Sequence, residues 1–312
     1  MNKLAVVAIG GNSLTRRGQR GTIPEQYDNA RATCGAISDM IARGYGAVVT
    51  HGNGPQVGNI LLRAEMASSV LPLLPLDTCG ADSQGGIGYM LQQVLGSALR
   101  RRGVETDVVT VLTQVVVDGS DPAFESPSKP IGPFYNEDEI RAKREEHGWA
   151  VVEDACRGWR RVVASPMPVR IVEIGPIRSL LSDGYVVIAV GGGGIPVVET
   201  DAGLSGIEAV IDKDHASRLL ANEIGADLFL ISTDVPQVAL YHGTSDQVCM
   251  DKMTADEAEE YLRQGHFPPG SMGPKIRAGV DFIRSGGELV IITNPDSLGR
   301  ALDGETGTRI TR

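Results

Sequence analysis

Three lysines, an aspartate and a set of glycine loops are the residues whose types and spacing could do chemistry in this chain. Lys213 lies in VIDKDHAS at 210–217 with Asp212 and Asp214 on either side, Lys275 lies in GSMGPKIRAG at 270–279, and Lys129 sits between Pro127 and Pro130. Taken one at a time they are ambiguous: Asp214 reads as a helix N-cap, Lys213 as its solvated neighbour, and Lys275 as an exposed lysine in a first helical turn. Taken together, among backbone N–H donors, they fit phosphoryl transfer. Cations would neutralise charge building on the equatorial oxygens while backbone amides hold the phosphates.

The glycines follow short apolar runs. LAVVAIGGN at 4–12, AVVTHGNG at 47–54 and VVIAVGGGG at 186–194 each read as a buried strand running into a loop whose backbone can approach a ligand closely, and LFLISTD at 228–234 ends in hydroxyls and a carboxylate. Four such ends on one parallel sheet would build a composite site for a phosphorylated, nucleotide-like ligand. The Walker pattern GxxxxGK[ST] is absent, which excludes ordinary P-loop binding, and GNGPQVG at 52–58 departs from the dinucleotide fingerprint at Val57 and Pro55. HExxH and DxDxDG are missing and the five histidines are scattered, so no protein-bound metal cage is expected.

The elements that must position these residues alternate clearly in the first third. Glu25–Arg43 carries Ala30, Cys34, Ile37, Met40 and Ile41 on one face and stops at Gly44; Pro55 opens a helix to about Ala67; a longer helix is expected over 82–102. The last holds Gly85, Gly86, Gly88 and Gly96, a load that costs helix stability and suggests close packing against another backbone or a second subunit. A β-rich run follows over 107–117. The proline-rich stretch 118–168, with a charged helix after Asn136, reads as an excursion outside the main sheet carrying Lys129. Strands at 185–190 and 227–232, a helix after Asp214, a hairpin-like piece at 237–241, a capping box at Thr254 and Glu257, a helix from Pro274 to Gly286 and a strand at 288–293 complete the chain.

The composition excludes several classes. A formal charge of -10 repels nucleic-acid phosphates, so nucleic acid is not an expected partner. No stretch is long and apolar enough to span a bilayer, the first apolar run lacks a cleavage site, and Cys34, Cys79, Cys156 and Cys249 form no CxxC pair, so a cytoplasmic protein with reduced cysteines is expected. Arg100–Arg102 suits a helix C-terminus before Gly103, and Arg157, Trp159, Arg160 and Arg161 suit a surface or an interface.

At the residues that could do chemistry the chain resembles the carbamate kinases of the amino acid kinase fold. The similarity runs nearly end to end through VVAIGGN at 6–12, HGNGPQVGN at 51–59, PLDTC at 75–79, TVLTQVVVD at 110–118, KPIGPF at 129–134, RGWRRVV at 157–163, GGGGIPVV at 191–198, EAVIDKD at 208–214 and GHFPPGSMGPKI at 265–276. The resemblance implies an α/β fold, a three-layer αβα sandwich with a mainly parallel central sheet and a small protruding subdomain, working as a homodimer. An acceptor lobe would cover about 1–180 with the subdomain at about 118–168, and a nucleotide lobe about 181–312.

The resemblance also implies roles. Gly10, Gly11, Asn12, Gly52, Asn53 and Gly54 would hold carbamate with Lys129 reaching in, and Gly191, Gly192 and Gly193 would border the phosphates. ATP or ADP would carry Mg2+ into the C-terminal half near Thr233, Asp234 and Met272, Lys213 and Lys275 would span the transferring group, and Asp214 would orient the lysines or polarise the water shell of the metal. Carbamate arrives ionised, so no general base is required, and a structural or hydrogen-bonding role is expected for His51. Pro236, Ala164 and His215 depart from the family pattern without removing a phosphate-binding group. Two alternatives are a kinase for another small carboxylate and a non-catalytic nucleotide sensor; the retained lysines argue against the sensor.

Overall fold

The structure, a computed structural model, describes residues 3–16, 18–154, 158–268 and 270–312, apart from the side chains of Asn12 and Asp154. Cys156 and Arg157 lie outside the described residues.

The chain begins with β1 (Leu4–Ile9), α1 (Ile23–Ala42), β2 (Gly46–His51), α2 (Gly54–Met66), α3 (Leu76–Arg101), β3 (Val108–Thr110) and β4 (Gln114–Val117). It continues with β5 (Lys129–Tyr135), α4 (Glu137–His147), β6 (Val151–Asp154), β7 (Gly158–Val163), β8 (Pro168–Ile171), α5 (Ile174–Ser182), β9 (Val186–Ile188), β10 (Ile195–Thr200) and β11 (Gly203–Gly206). The remainder is α6 (Lys213–Glu223), β12 (Leu228–Ser232), β13 (Val238–Leu240), β14 (Val248–Met250), β15 (Lys252–Thr254), α7 (Ala255–Arg263), α8 (Met272–Arg284), β16 (Leu289–Thr293), α9 (Leu298–Leu302) and β17 (Thr308–Thr311).

The main sheet has eight strands in the order β15-β17-β16-β12-β1-β2-β9-β3, and only the β16–β17 pair runs antiparallel. Because successive strand side chains point to opposite faces, the apolar runs feed two separate cores. Val6, Ala8, Val48, Phe229 and Ile231 face a core shared with residues of α6 and α8, whereas Ala5, Val7, Ile9, Val49 and Leu230 face one shared with α1 and α3. Helices on both faces of a mainly parallel sheet make the three-layer αβα architecture expected from the sequence.

Several elements differ from expectation. The long helix starts at Leu76, directly after Pro75, because Leu76, Cys79, Ser83 and Ile87 extend its buried stripe through the PLDTC segment. The 107–117 run is two strands in different sheets: β3 edges the main sheet, while β4 joins β8, β10 and β11 in a second one. The 118–168 excursion narrows to β5, α4, β6 and β7, whose strands form their own antiparallel sheet in the order β5-β7-β6, and α4 begins at a capping box made by Asn136 and Glu139. Among the α3 glycines, Gly88 packs against the Thr110 side chain, which leaves no room for a Cβ, but Gly85 and Gly86 meet nothing within 4 Å.

Candidate active site

Four parallel neighbours, β12, β1, β2 and β9, end side by side, so their C-terminal loops share one edge of the sheet. That edge gathers Thr233–Asp234, Gly10–Asn12, Gly52–Gly54 and Gly191–Gly193. The loops interlock. A Cβ on Gly10 would lie 2.9 Å from the Ser232 carbonyl oxygen, and one on Gly52 would touch both the Gly11 backbone and Lys213 Cδ at 3.5 Å.

Gly192 is the tightest position of these loops. Its φ is +69°, a left-handed conformation, and an added Cβ would stand 2.1 Å from Nδ2 of Asn53, whose amide donates to Ser83 Oγ at 2.7 Å. Gly192→Ala should therefore destabilise the protein by about 2 kcal/mol or more from backbone strain alone and break the Asn53–Ser83 bond, read as a lower urea midpoint. An unchanged midpoint would show that the loop can relax around a side chain.

The floor of the site is charged. Lys213 Nζ donates to Asp214 Oδ1 at 2.6 Å, and Lys275 Nζ donates to Asp214 Oδ2 at 3.0 Å, so one carboxylate holds both ammonium groups. The two lysines come from the first turns of α6 and α8, whose N-termini add positive potential of their own. Asp214 is 2% exposed. Burial works against its charge, yet the two lysines keep its carboxyl well below the usual carboxylate range. Burial, reinforced by Lys275, lowers the Lys213 ammonium despite the pull of Asp214; on Lys275 burial acts the same way but Asp214, Asp212 and Asp234 outweigh it and the shift is upward.

Three single-residue readings do not hold. Asp212, not Asp214, caps α6, its Oδ1 accepting from the Asp214 N–H at 2.9 Å, and Lys213 and Lys275 are neither solvated nor exposed, with side chains only 13% and 15% accessible. Lys129, on β5, donates to Asp212 Oδ2 at 2.6 Å. Three lysines against two aspartates leave the cluster with a net charge of +1.

Above this floor opens a cleft of about 430 Å³ lined by Gly10, Gly11, Lys213, Thr233, Asp234, Met272 and Lys275, all named from the sequence. Lys129, Asp214, Gly52–Gly54 and Gly191–Gly193 do not line it; they stand beneath or beside it through the contacts above. Asn12 belongs to the turn after β1, its side chain lying outside the described residues.

Sequence reasoning missed the apolar wall of the cleft, Ala239, Phe267 and Pro268, together with His242 and His266, the last edge-on to Tyr241 at 4.6 Å between ring centroids. It also missed Gln84. That side chain donates to the carbonyls of Thr113 and Gly191 and accepts from the Thr113 N–H, fixing the glycine loop. Its only signal is an amide within the apolar stripe of a helix.

His51 is fully buried, its Nδ1 lying 3.1 Å from the Gly52 carbonyl oxygen. Burial lowers its pKa to about 4 from 6.5. A folded value below the unfolded one means stability that is complete above pH 6.5 and is lost as pH falls towards 4. The contribution is about 3 kcal/mol, and denaturant midpoints at stepped pH should show it, the slope flattening in His51→Gln.

The arginine cluster closes a joint within the chain. Arg161 pairs with Glu208 at 3.0 Å and approaches Glu65 of α2 at 4.0 Å while lying over the Trp149 ring. Among the described residues no group of histidine, cysteine and acidic side chains is arranged to hold a metal ion, and no helix is long and apolar enough to cross a membrane.

The amino acid kinase family model matches residues 3–294. The chain is 50% identical to a carbamate kinase of Pyrococcus horikoshii, with both chains covered in full, and 50% identical over the whole length of both chains to the carbamate kinase-like protein YahI of Escherichia coli. Among solved structures, a carbamate kinase from Giardia lamblia bound to AMP-PNP superposes with a TM-score of 0.93 at 40% identity, covering 99% of this chain and 98% of the other.

Proposed function

This chain belongs to the amino acid kinase family and, within it, to the carbamate kinases, and from that premise we propose that it transfers a phosphoryl group reversibly between ATP and carbamate, forming ADP and carbamoyl phosphate. The observation that carries the mechanism is the single buried carboxylate of Asp214 holding both Lys213 and Lys275 at the floor of the cleft.

ATP enters the cleft with Mg2+ as part of the substrate, its base toward the wall of Ala239 and Phe267 and its phosphates over the two lysines. Carbamate lies on the Gly10–Asn12 and Gly52–Gly54 side with Lys129 nearby. A carbamate oxygen forms a bond to the γ-phosphorus as the bond to the β,γ-bridging oxygen breaks, and ADP leaves with that electron pair. No proton has to be removed first, which matches a His51 that is buried and weakly basic. The barrier is the approach of an anion to a polyanion, and Lys213, Lys275 and the loop amides oppose it from fixed positions. Asp214 keeps the lysines aimed, and Asp234, lining the cleft, can accept from the water shell of Mg2+.

The acceptor is tested by comparing initial rates of ATP formation from ADP and Mg2+ with carbamoyl phosphate and with acetyl phosphate as donors. Faster turnover of carbamoyl phosphate is expected; an equal or greater rate with acetyl phosphate would make a carboxylate the acceptor. The protein is further proposed to act as a homodimer, supported by Gly85 and Gly86, which are exposed on α3 beside the exposed Tyr89 and where an added Cβ would meet nothing within 4 Å among the described residues.

A further inference from the structure

We infer that Asp212 is a positioning residue for transfer: one of its carboxylate oxygens seats Lys129, and the other holds the start of the helix that carries Lys213 and Asp214. The inference deepens the proposed reaction and rests on that reading of the site.

The β5-β7-β6 sheet pairs with no named strand of the main sheet; one backbone bridge, Ala164 to Ala209 with the Val210 N–H donating to the Ala164 carbonyl at 2.9 Å, ties the end of β7, where Val163 pairs with Lys129, to the segment leading into α6. Its base is also anchored on α2. A Cβ on Gly58 of α2 would lie 2.3 Å from Gly132 Cα, which brings β5 against α2, and Lys143 and Arg161 reach Glu65 on the same helix. These contacts place the strand, and none of them specifies where the Lys129 ammonium points. A lysine is a point charge on a flexible four-carbon stem, and without a partner it samples many positions. Its ammonium group is instead held by Asp212 Oδ2 at 2.6 Å, across 83 residues of sequence. The same carboxylate accepts from the Asp214 N–H through Oδ1 at 2.9 Å. Asp212 thus links the acceptor-side lysine to the turn that presents the other two, with Lys129 34% and Asp212 18% exposed. A mobile strap of charge becomes part of one rigid cluster.

The two jobs of Asp212 can be separated, because asparagine caps a helix as well as aspartate does but carries no charge to hold a lysine. In Asp212→Asn, acetylation of Lys129 by trace acetic anhydride, read by mass spectrometry, should rise about three- to fivefold. The KM for carbamoyl phosphate in ATP formation should rise by about the same factor, with a smaller change in ADP affinity and the helix cap retained. Asp212→Ala should add a lower midpoint and a lower kcat through loss of the cap. Asp212→Asn with wild-type labelling of Lys129, or with raised labelling and an unchanged KM, would overturn the inference. A wild-type protein that makes no ATP from carbamoyl phosphate would refute the proposed reaction instead, and the labelling contrast would still decide whether Asp212 holds Lys129.

Discussion

Replacing Lys213 by alanine should lower the rate of ATP formation from carbamoyl phosphate and ADP by about a thousandfold while changing ADP affinity only a few-fold. The asymmetry follows from placement. Lys213 sits at the N-terminus of α6 with only 13% of its side chain accessible, tied to Asp214 and beside Gly52, on which an added Cβ would lie 3.5 Å from Lys213 Cδ. Under the proposed reaction, a fixed cation between the Thr233–Asp234 and Gly52–Gly54 loops interacts most strongly when the phosphoryl group lies between them. Its loss should therefore fall on the transition state more than on the bound nucleotide. Equal losses in turnover and ADP binding would place Lys213 on the nucleotide alone. The wild-type pH profile should carry the same signature. Burial lowers the Lys213 pKa from 10.5, and under the proposed reaction the charged form is the active one, so activity should decline on the alkaline side before an ordinary lysine titrates. Lys213→Arg, which stays charged, should shift that decline upward.

Asp214→Ala should be the most damaging single change to the fold of the site. It removes the shared counter-ion of two buried ammonium groups, and leaving buried charge unpaired costs about 3–5 kcal/mol. Replacement by alanine also opens a gap beneath the cleft, since Asp214 is 2% exposed. The lysines would repel one another, and each would turn toward solvent or lose its proton. Both routes spoil the alignment that transfer needs, so turnover should disappear together with several kcal/mol of stability. Urea denaturation at neutral pH provides the check. A loss below about 1 kcal/mol, the range of an exposed pair, would mean that Lys213 and Lys275 do not depend on Asp214. Asp214→Asn, which keeps the shape and drops the charge, separates electrostatics from packing: it should be nearly as inactive as the alanine variant.

Much of this arrangement is legible in the chain. An apolar run of five or six residues ending in glycine reports a buried parallel strand and a close-approach loop, and the three runs found this way are neighbours in one sheet with the fourth, which ends in Thr233 and Asp234. The elements misplaced were those without local punctuation: α3 begins directly behind Pro75, ahead of the start expected at Asp82, and Val108–Val117 has continuous β propensity although its halves join different sheets. Within the site, the residue types were readable and their pairing was not. VIDKDHAS offers two aspartates around one lysine, and nothing local says that the first caps the helix while the second turns inward to bind Lys275, 61 residues away. Gln84 and Asp212 act through contacts with distant segments, and such contacts exist only once the sheet has assembled. The apolar wall around Phe267 gave no signal as a binding surface because its composition is that of any core.

The central claim is that the paired lysines on Asp214 serve transfer between carbamate and ATP, and it is met most directly by incubating the purified protein with carbamoyl phosphate, ADP and Mg2+ and following ATP. The structure and its relatives lead to ATP formation that matches the carbamoyl phosphate consumed and stops when any one component is omitted. ADP binding with no ATP above the enzyme-free blank would contradict it.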